Sequence, residues 1–586
     1  MKRLFAIVNA PPGVPPVTGV VSVSHPLLRL APLFRPRWLL LGVCMALLFL
    51  ATGLGLVGPQ LIARAIDQDL VAGDVPALQR TAALYLFIVL AGMATRYLGR
   101  VGIERVAQGA MLDLKRQLFD HLLRHDLAFH DEHSPGRLIT RVQGDTQALH
   151  VLFTEVVLAT PPDIAMVFGV AWLLWRESPE VALMVGAVLP PYILALMIFR
   201  RVAPPRFLKV RELRSTLTGF LAGHIRAMPT LRRFDREAWV RGRSDTLNEE
   251  VYAADVHAAW PPVFYYNGLF AIRQLGFAAV LWGGGLMVAR DALTVGVLVM
   301  GMGYLRQLFN PLMRLSFHLT TLERARAGSL RIASILDDQP AVREPAEPVP
   351  WPGLDDAIRL EAVDFAYTPE TPVLRQLSIT IEAGTHVAVV GPTGGGKSTL
   401  LNLLMRFRDP TGGAITVDGV PLTELSLNEL RRKVGLVLQD VLLFPGTVLD
   451  NLGGDRARAT RACETLGLTI DLDAAVSAGG ENLSRGERQL LTFARALVNA
   501  PEVLVLDEAT SAVDPATEAR VQAALETLRA GRTVITVAHR LATVRDCDRI
   551  YVLSGGEIVE RGDHDALIAS GGVYAALYQL QHGEAA

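Results

Sequence analysis

Lysine is almost missing from this chain, with five residues against 52 arginines in a length of 586. Cysteine is equally scarce. Cys44, Cys463 and Cys547 lie far apart in neither a metal-ligand nor a dithiol spacing, which points to a reducing, cytoplasm-facing protein. Charge is low at 20%, while hydrophobic residues make up 51% and mean hydropathy is +0.31. That balance argues against an all-soluble chain. The apolar excess lies before residue 320, and the remainder has the composition of an ordinary soluble domain. A net charge of −1 hides an arginine-rich first part and a carboxylate-rich second part. Residues 1–24, rich in Pro, Val and Gly, have no long apolar core ahead of a cleavage site and read as a flexible tail, not a signal peptide. No nucleic-acid partner is expected.

Against so few lysines, Lys397 stands out. It lies in Gly391-Pro392-Thr393-Gly394-Gly395-Gly396-Lys397-Ser398-Thr399, a match to G-x-x-x-x-G-K-[ST]. An apolar strand-like run at 387–390 precedes it and a helical run at 400–405 follows. Glycines let backbone amides approach a polyphosphate without a Cβ in the way. The helix adds unpaired N–H groups and the positive end of its dipole. Lys397 would then reach the β- and γ-phosphates of ATP, and Ser398 would hold Mg2+. A glycine turn that merely caps a helix is the bland alternative, and the flanking strand and helix disfavour it.

The apolar part contains six stretches, 38–62, 81–99, 149–175, 181–200, 261–288 and 293–318, each near the length that crosses a bilayer. The connections 100–145 and 201–257 are long and dense in arginine, whereas the others are short or carry Asp67, Asp69 and Asp74. Positive-inside bias puts the long connections and both chain ends in the cytoplasm of a multi-pass inner (plasma) membrane protein. Breaks at 125–136 and 223–230 would let two pairs of long helices reverse through short transverse helices, where Phe129 and His130 either touch a soluble domain or simply pack. In the last stretch Arg306, Asn310 and Arg314 recur every four residues, with Gln307 and His318 on the same helical face. Asn267, Arg273 and Gln274 lie in the fifth stretch, and Arg96 and Arg100 in the second. A charge at mid-bilayer costs about 2.5–3.5 kcal/mol or more and normally faces a cavity or a partner. The expectation is a pathway for amphipathic, anionic cargo through Arg96, Arg273, Arg306 and Asn310. Snorkelling is the alternative for Arg100 and Arg314.

Residues 337–357 are rich in proline and acids and mark a linker between a membrane domain at 25–336 and a soluble domain at 358–586. Strand-like runs at 358–365 and 377–381 flank a turn holding Tyr367, either a nucleobase-stacking aromatic or a surface tyrosine. The buried run 503–508 ends in Asp507, suited to Mg2+, and Glu508, placed to take a proton from the attacking water. Another strand at 533–538 ends at His539, a γ-phosphate contact or a core histidine. Gln439 follows the run 434–438 and would touch Mg2+ or the water. Ser484 and Gly486 open an apolar helix and form a second phosphate site, too far from the first to serve the same nucleotide in one chain. A two-fold dimer, each chain completing the other's site, is the economical solution.

From about residue 25 to 580 the chain resembles one half of an exporter-type ABC transporter. The resemblance rests on the phosphate loop 391–399, Gln439, the signature 483–487 (LSRGE), the strand 503–508, Ser511 to Asp514, and His539. It implies a helical polytopic membrane domain of six spans fused to an α/β P-loop ATPase with a helical subdomain. It also implies a second half-transporter chain, identical or not, adenine stacking on Tyr367, and coupling helices near 125–136 and 218–230. The implied function is ATP-driven export or flipping of an amphipathic small molecule or lipid. Uptake of an amphipathic chelate and an ATP-gated channel are the alternatives. Arg485 and Glu487 depart from the usual LSGGQ, and Glu487 would bring a carboxylate near nucleotide phosphates. Only 44 positions separate Gln439 from Leu483, which is short for the family.

Overall fold

The computed structural model describes residues 28–439, 441–507, 515–538 and 541–582. Glu508, residues 511–514, His539 and the 1–24 tail fall outside them. The chain divides into two compact units. One holds the long helices up to Leu123 and from Pro135 to Asp338; the other joins Arg124–Ser134 to the chain from Gln339 onward.

In the first unit, five helices among the described residues are long and apolar enough to cross a membrane: α1 (Leu30–Leu70), α2 (Val75–Arg124), α4 (Pro135–Glu177), α5 (Pro179–Arg226) and α7 (Glu237–Val288). The expected sixth span lies on α8 (Val295–Asp337). The helices outrun the bilayer. With 50 residues, α2 is about 75 Å long at a rise of 1.5 Å per residue. A hydrocarbon core is only about 30 Å thick. Two short helices, α3 (Leu127–Glu132) and α6 (Met228–Arg233), break the long ones. The second break falls later than glycine alone implies. Gly223 stays inside α5, and the chain leaves helical geometry at Ala227 (φ −86°, ψ 12°).

Helix α8 packs on α1 and α4, while α7 runs along α5. Val170 and Leu174 of α4, Val181 and Val185 of α5, Val280 of α7 and Met300 and Leu305 of α8 share one core. Two buried tyrosines of this unit are paired with backbone carbonyls, as a polar group shut away from water requires. The Tyr304 hydroxyl donates to Leu56 O at 2.6 Å, and Tyr192 donates to Leu312 O. Leu86, Phe87 and Leu90 of α2 and Trp282 of α7 are exposed, an apolar exterior that suits lipid. The aspartates at the turn between α1 and α2 make specific contacts. Asp67 accepts from Gly296 N at 2.7 Å and from Thr294 Oγ1 at 2.5 Å, so it caps α8. Asp69 is buried and accepts from Thr81 Oγ1 at 2.6 Å.

In the second unit, segment 339–357 is fastened to the domain that follows it. Trp351 donates from its backbone to Glu429 Oε2 at 2.6 Å and from its indole to Glu502 Oε2 at 2.7 Å. Strands β1 (Ala357–Thr368), β2 (Thr371–Glu382), β4 (Gly412–Val417) and β5 (Val420–Pro421) form an antiparallel sheet in the order β2-β1-β4-β5. β3 (His386–Val390), β6 (Val434–Val437), β9 (Val503–Asp507), β10 (Thr533–Val537), β11 (Arg549–Ser554) and β12 (Glu557–Gly562) form the main sheet, ordered β12-β11-β3-β10-β9-β6. Its pairs are parallel except β11–β12. A small hairpin pairs β7 (Gly446–Thr447) with β8 (Ala475–Val476). Val389, Val505 and Ile535 are essentially inaccessible, as strands covered on both faces must be.

Replacing Asp67 by Ala leaves the Gly296 amide and the Thr294 hydroxyl without their acceptor. The expected loss is about 1–3 kcal/mol, read as a lower thermal midpoint of the detergent-solubilised protein. An unchanged midpoint would show that this cap contributes nothing.

Candidate nucleotide-binding site

The site is set by strand register. Val537 of β10 pairs with Val389 of β3 on one side and with Asp507 of β9 on the other. The glycine loop after β3 and Asp507 therefore leave the same sheet edge, two strands and about 10 Å apart. Gly391 has φ +154°, and a Cβ there would stand 2.0 Å from Leu553 O. Gly396 has φ +102°, and its Cβ would meet Leu374 Cδ2 at 2.7 Å. Side chains at either place would force the loop off the sheet, so glycine is required by both torsion and space. Gly394 also has positive φ, and Gly395 N donates to Pro392 O at 3.1 Å.

Helix α9 (Lys397–Leu404) starts directly from the loop. Lys397 is only 4% exposed, and its ammonium donates to Gly391 O and Pro392 O at 2.8 and 2.9 Å. The cation is thereby drawn in under the loop. Pro392, Thr393 and Ser398 are exposed, and Thr399 is buried. Tyr367 belongs to the end of β1 and not to the turn, because pairing with β2 continues to Thr368↔Thr371. Its hydroxyl meets Thr399 Oγ1 at 3.1 Å, and its ring is perpendicular to that of Phe365 with centroids 5.0 Å apart.

Gln439 is exposed just beyond β6, and Asp507 is half-buried as the last residue of β9. Glu508 and His539 follow β9 and β10 but lie outside the described residues. Among the described residues no three His, Cys, Asp or Glu side chains are arranged to hold a metal. Ser398, Gln439 and Asp507 nevertheless suit Mg2+, which typically binds through one or two carboxylates together with substrate phosphates.

Ser484 is the N-cap of α10 (Arg485–Leu497). Its hydroxyl accepts from Glu487 N at 3.2 Å and donates to Glu487 Oε2 at 2.7 Å, while Ser484 N donates to the same carboxylate at 2.9 Å. These bonds hold the Glu487 carboxyl below its ordinary range. Glu487 thus closes a capping box with the signature serine. The S-x-x-E spacing of 484–487 carried that signal in the sequence. Gly486 is buried in the first turn. Sequence reasoning also missed Arg495, which donates to Leu442 O, Asn451 O and Asn451 Oδ1 at 2.8–2.9 Å. Asn451 in turn brackets Phe444 through its amide and carbonyl. The loop after Gln439 is therefore hung from the helix that Ser484 caps. Short as it is, the intervening segment packs Val448, Leu452, Ala459 and Val476 against Leu490 and Phe493.

The polar set of α8 does not share one environment. Arg306 and Asn310 are exposed, whereas Gln307 donates to Gly55 O at 3.1 Å. Arg314 pairs with Asp163 of α4 at 2.5 Å, and His318 meets Thr160 Oγ1 at 3.2 Å. Each four-residue step advances about 40° around the helix, which carries the later residues from the open side into the bundle. Sequence reasoning missed Asp163, which shares its apolar stretch with Glu155. Arg273 is half-buried with its guanidinium 5.0 Å from the Phe270 ring and its Nε buried without a hydrogen-bond partner. Arg96 is exposed.

Comparison with known proteins agrees with both units. Residues 41–312 match the family model described as the ABC transporter transmembrane region, and residues 374–511 match the one described as ABC transporter. A fatty acid ABC transporter ATP-binding/permease protein of Mycobacterium tuberculosis is 35% identical over 86% of this chain and 82% of its own. An ATP-dependent lipid A-core flippase of Syntrophus aciditrophicus is 31% identical over 96% of this chain and 95% of its own. A solved bacterial Atm1-family ABC exporter with ATP bound superposes with a TM-score of 0.77 at 26% identity, covering 93% of this chain and 98% of that one. The chain therefore belongs to the ABC transporter family, as an exporter-type half with membrane and ATPase domains in one multi-pass polypeptide that couples ATP hydrolysis to transport.

Proposed function

We propose that two such halves, identical or not, sandwich ATP between them and use it to move an amphipathic substrate out of or across the inner leaflet of the plasma membrane. The observation that carries this reading is the shared sheet edge, with the buried Lys397 beneath its loop and Asp507 level with it. Amides of Gly391 to Gly396 and the ammonium of Lys397 bind the phosphates. Ser398, Asp507 and Gln439 hold Mg2+, which when bound neutralises phosphate charge. Tyr367 stacks on the base. Ser484 and Gly486 of the partner subunit cap the γ-phosphate, so closure of the ATPase domains follows from nucleotide binding. Glu508 takes a proton from the attacking water, and His539 steadies the γ-phosphate.

On the membrane side, Arg96, Arg273, Arg306 and Asn310 contribute to a pathway for cargo with an anionic head. The fatty acid transporter and lipid A-core flippase among the relatives fit such amphiphiles. The ATPase domain and both termini lie in the cytoplasm, by the arginine-rich long connections.

Replacing Glu508 by Gln should leave ATP binding intact and lower turnover by at least about a hundredfold, in an assembly whose partner chain is known. Unaltered ATPase would contradict the assignment. Replacing Arg273 and Arg306 together by Ala should reduce ATP-dependent uptake of an anionic amphiphile into inverted vesicles more than that of a neutral one. Equal uptake by the wild-type and doubly substituted proteins would remove the cationic pathway. Uptake into right-side-out vesicles instead would reverse the direction.

A further inference from the structure

Arg408 lies in the loop between α9 and β4, outside every motif identified in the sequence. Its guanidinium carbon sits 4.8 Å from the centroid of the Tyr367 ring, and its Nη2 pairs with Asp131 of α3 at 2.7 Å. The side chain is 16% exposed, and its Nε is buried without a hydrogen-bond partner. A guanidinium held mostly out of water, with a donor unsatisfied, is costly where packing alone is needed. Its placement is accounted for by the ring face on one side and the carboxylate on the other. Tyr367 is held at its hydroxyl by Thr399, by the Phe365 ring perpendicular to it at 5.0 Å, and on a face by Arg408. It is still 46% exposed, which leaves surface for a planar base.

The helix that carries Asp131 is itself fixed to this unit. Asp126 caps it by accepting from Phe129 N at 3.0 Å, and its second oxygen accepts from Ala341 N and Val342 N at 2.5 and 3.2 Å. Phe129 is stacked between His125 and His133 at 4.1 and 4.4 Å. Asp126 and Asp131 thus tie α3 down at two points.

We propose that Arg408 is the positioning residue for the base-stacking surface of Tyr367, and that its pair with Asp131 links that surface to the first cytoplasmic turn of the membrane domain. The guanidinium backs one face of the ring and orients the other for adenine. A base on Tyr367 is then felt at Asp131, and a shift of α3 is felt at the base. This rests on the reading of Tyr367 as the base platform.

The test uses the purified full-length transporter in lipid. Arg408→Met should raise KM for MgATP roughly three- to tenfold, the range of a cation–π contact, with a smaller effect on kcat. Binding of magnesium tripolyphosphate, which has no base, should be unchanged; a general defect of the domain would weaken both. Arg408→Lys keeps the charge without the planar face and should fall between wild type and Arg408→Met. Asp131→Asn should raise KM for MgATP in the wild-type background but not in Arg408→Met. Additive effects would overturn the link. If Tyr367→Ala raises KM for MgATP and Arg408→Met does not, the role of Arg408 is overturned and the base platform stands. If Tyr367→Ala itself changes nothing, both fall.

Discussion

The level ending of three parallel strands is the constraint on which the ATPase half depends. Because β3, β10 and β9 are paired in register, the glycine loop leaves β3 at the same edge at which Asp507 ends β9. The register is held by burial. Each of these strands is apolar on both faces, and a slip would leave Val389, Val505 or Ile535 without the layers that cover them. The loop itself depends on glycine at two points where backbone and neighbouring strand leave no room for a Cβ. Lys397 gains its acceptors only because the loop carbonyls curl back over it. The placement of the loop and of Asp507 is thus a consequence of a hydrophobic fact.

In the membrane half the corresponding constraint is pairing. Tyr304, Tyr192 and Arg314 find backbone or carboxylate partners, and Asp67 and Asp69 tie the end of α1 to α8 and α2. Within the polar set 306–318 of α8, Arg306 and Asn310 are the exposed members. Arg273, with a buried Nε and a ring beneath it, sits between the two situations.

Much of this was legible in the amino-acid order. Continuous apolar runs marked β3, β9 and β10 because parallel strands are buried on both faces, and the glycine-lysine pattern placed the loop. Serine at 484 announced the start of α10. What the sequence did not disclose are relations between residues distant along the chain. The strand-like runs 358–365 and 377–381 leave Tyr367 in a turn between them, yet the β1–β2 ladder extends past it to Thr368↔Thr371. Gly223 reads as a break, but packing of α5 along α7 carries the helix on to Ala227. Periodicity grouped Arg314 with Arg306, and only the position of Asp163 on another helix separates them. Arg495 and Asn451, which suspend the loop after Gln439, are 44 positions apart with no local pattern.

The central claim is that nucleotide binds at a seam between two chains. All three native cysteines are buried, so single cysteines introduced at Thr393, beside the glycine loop, and at Arg485, in the signature, can be addressed by a short bifunctional thiol reagent. With Glu508 replaced by Gln and MgATP present, the account predicts an intermolecular Thr393–Arg485 crosslink that disappears without nucleotide. Absence of that crosslink with nucleotide bound, or its formation within one chain, would contradict the account.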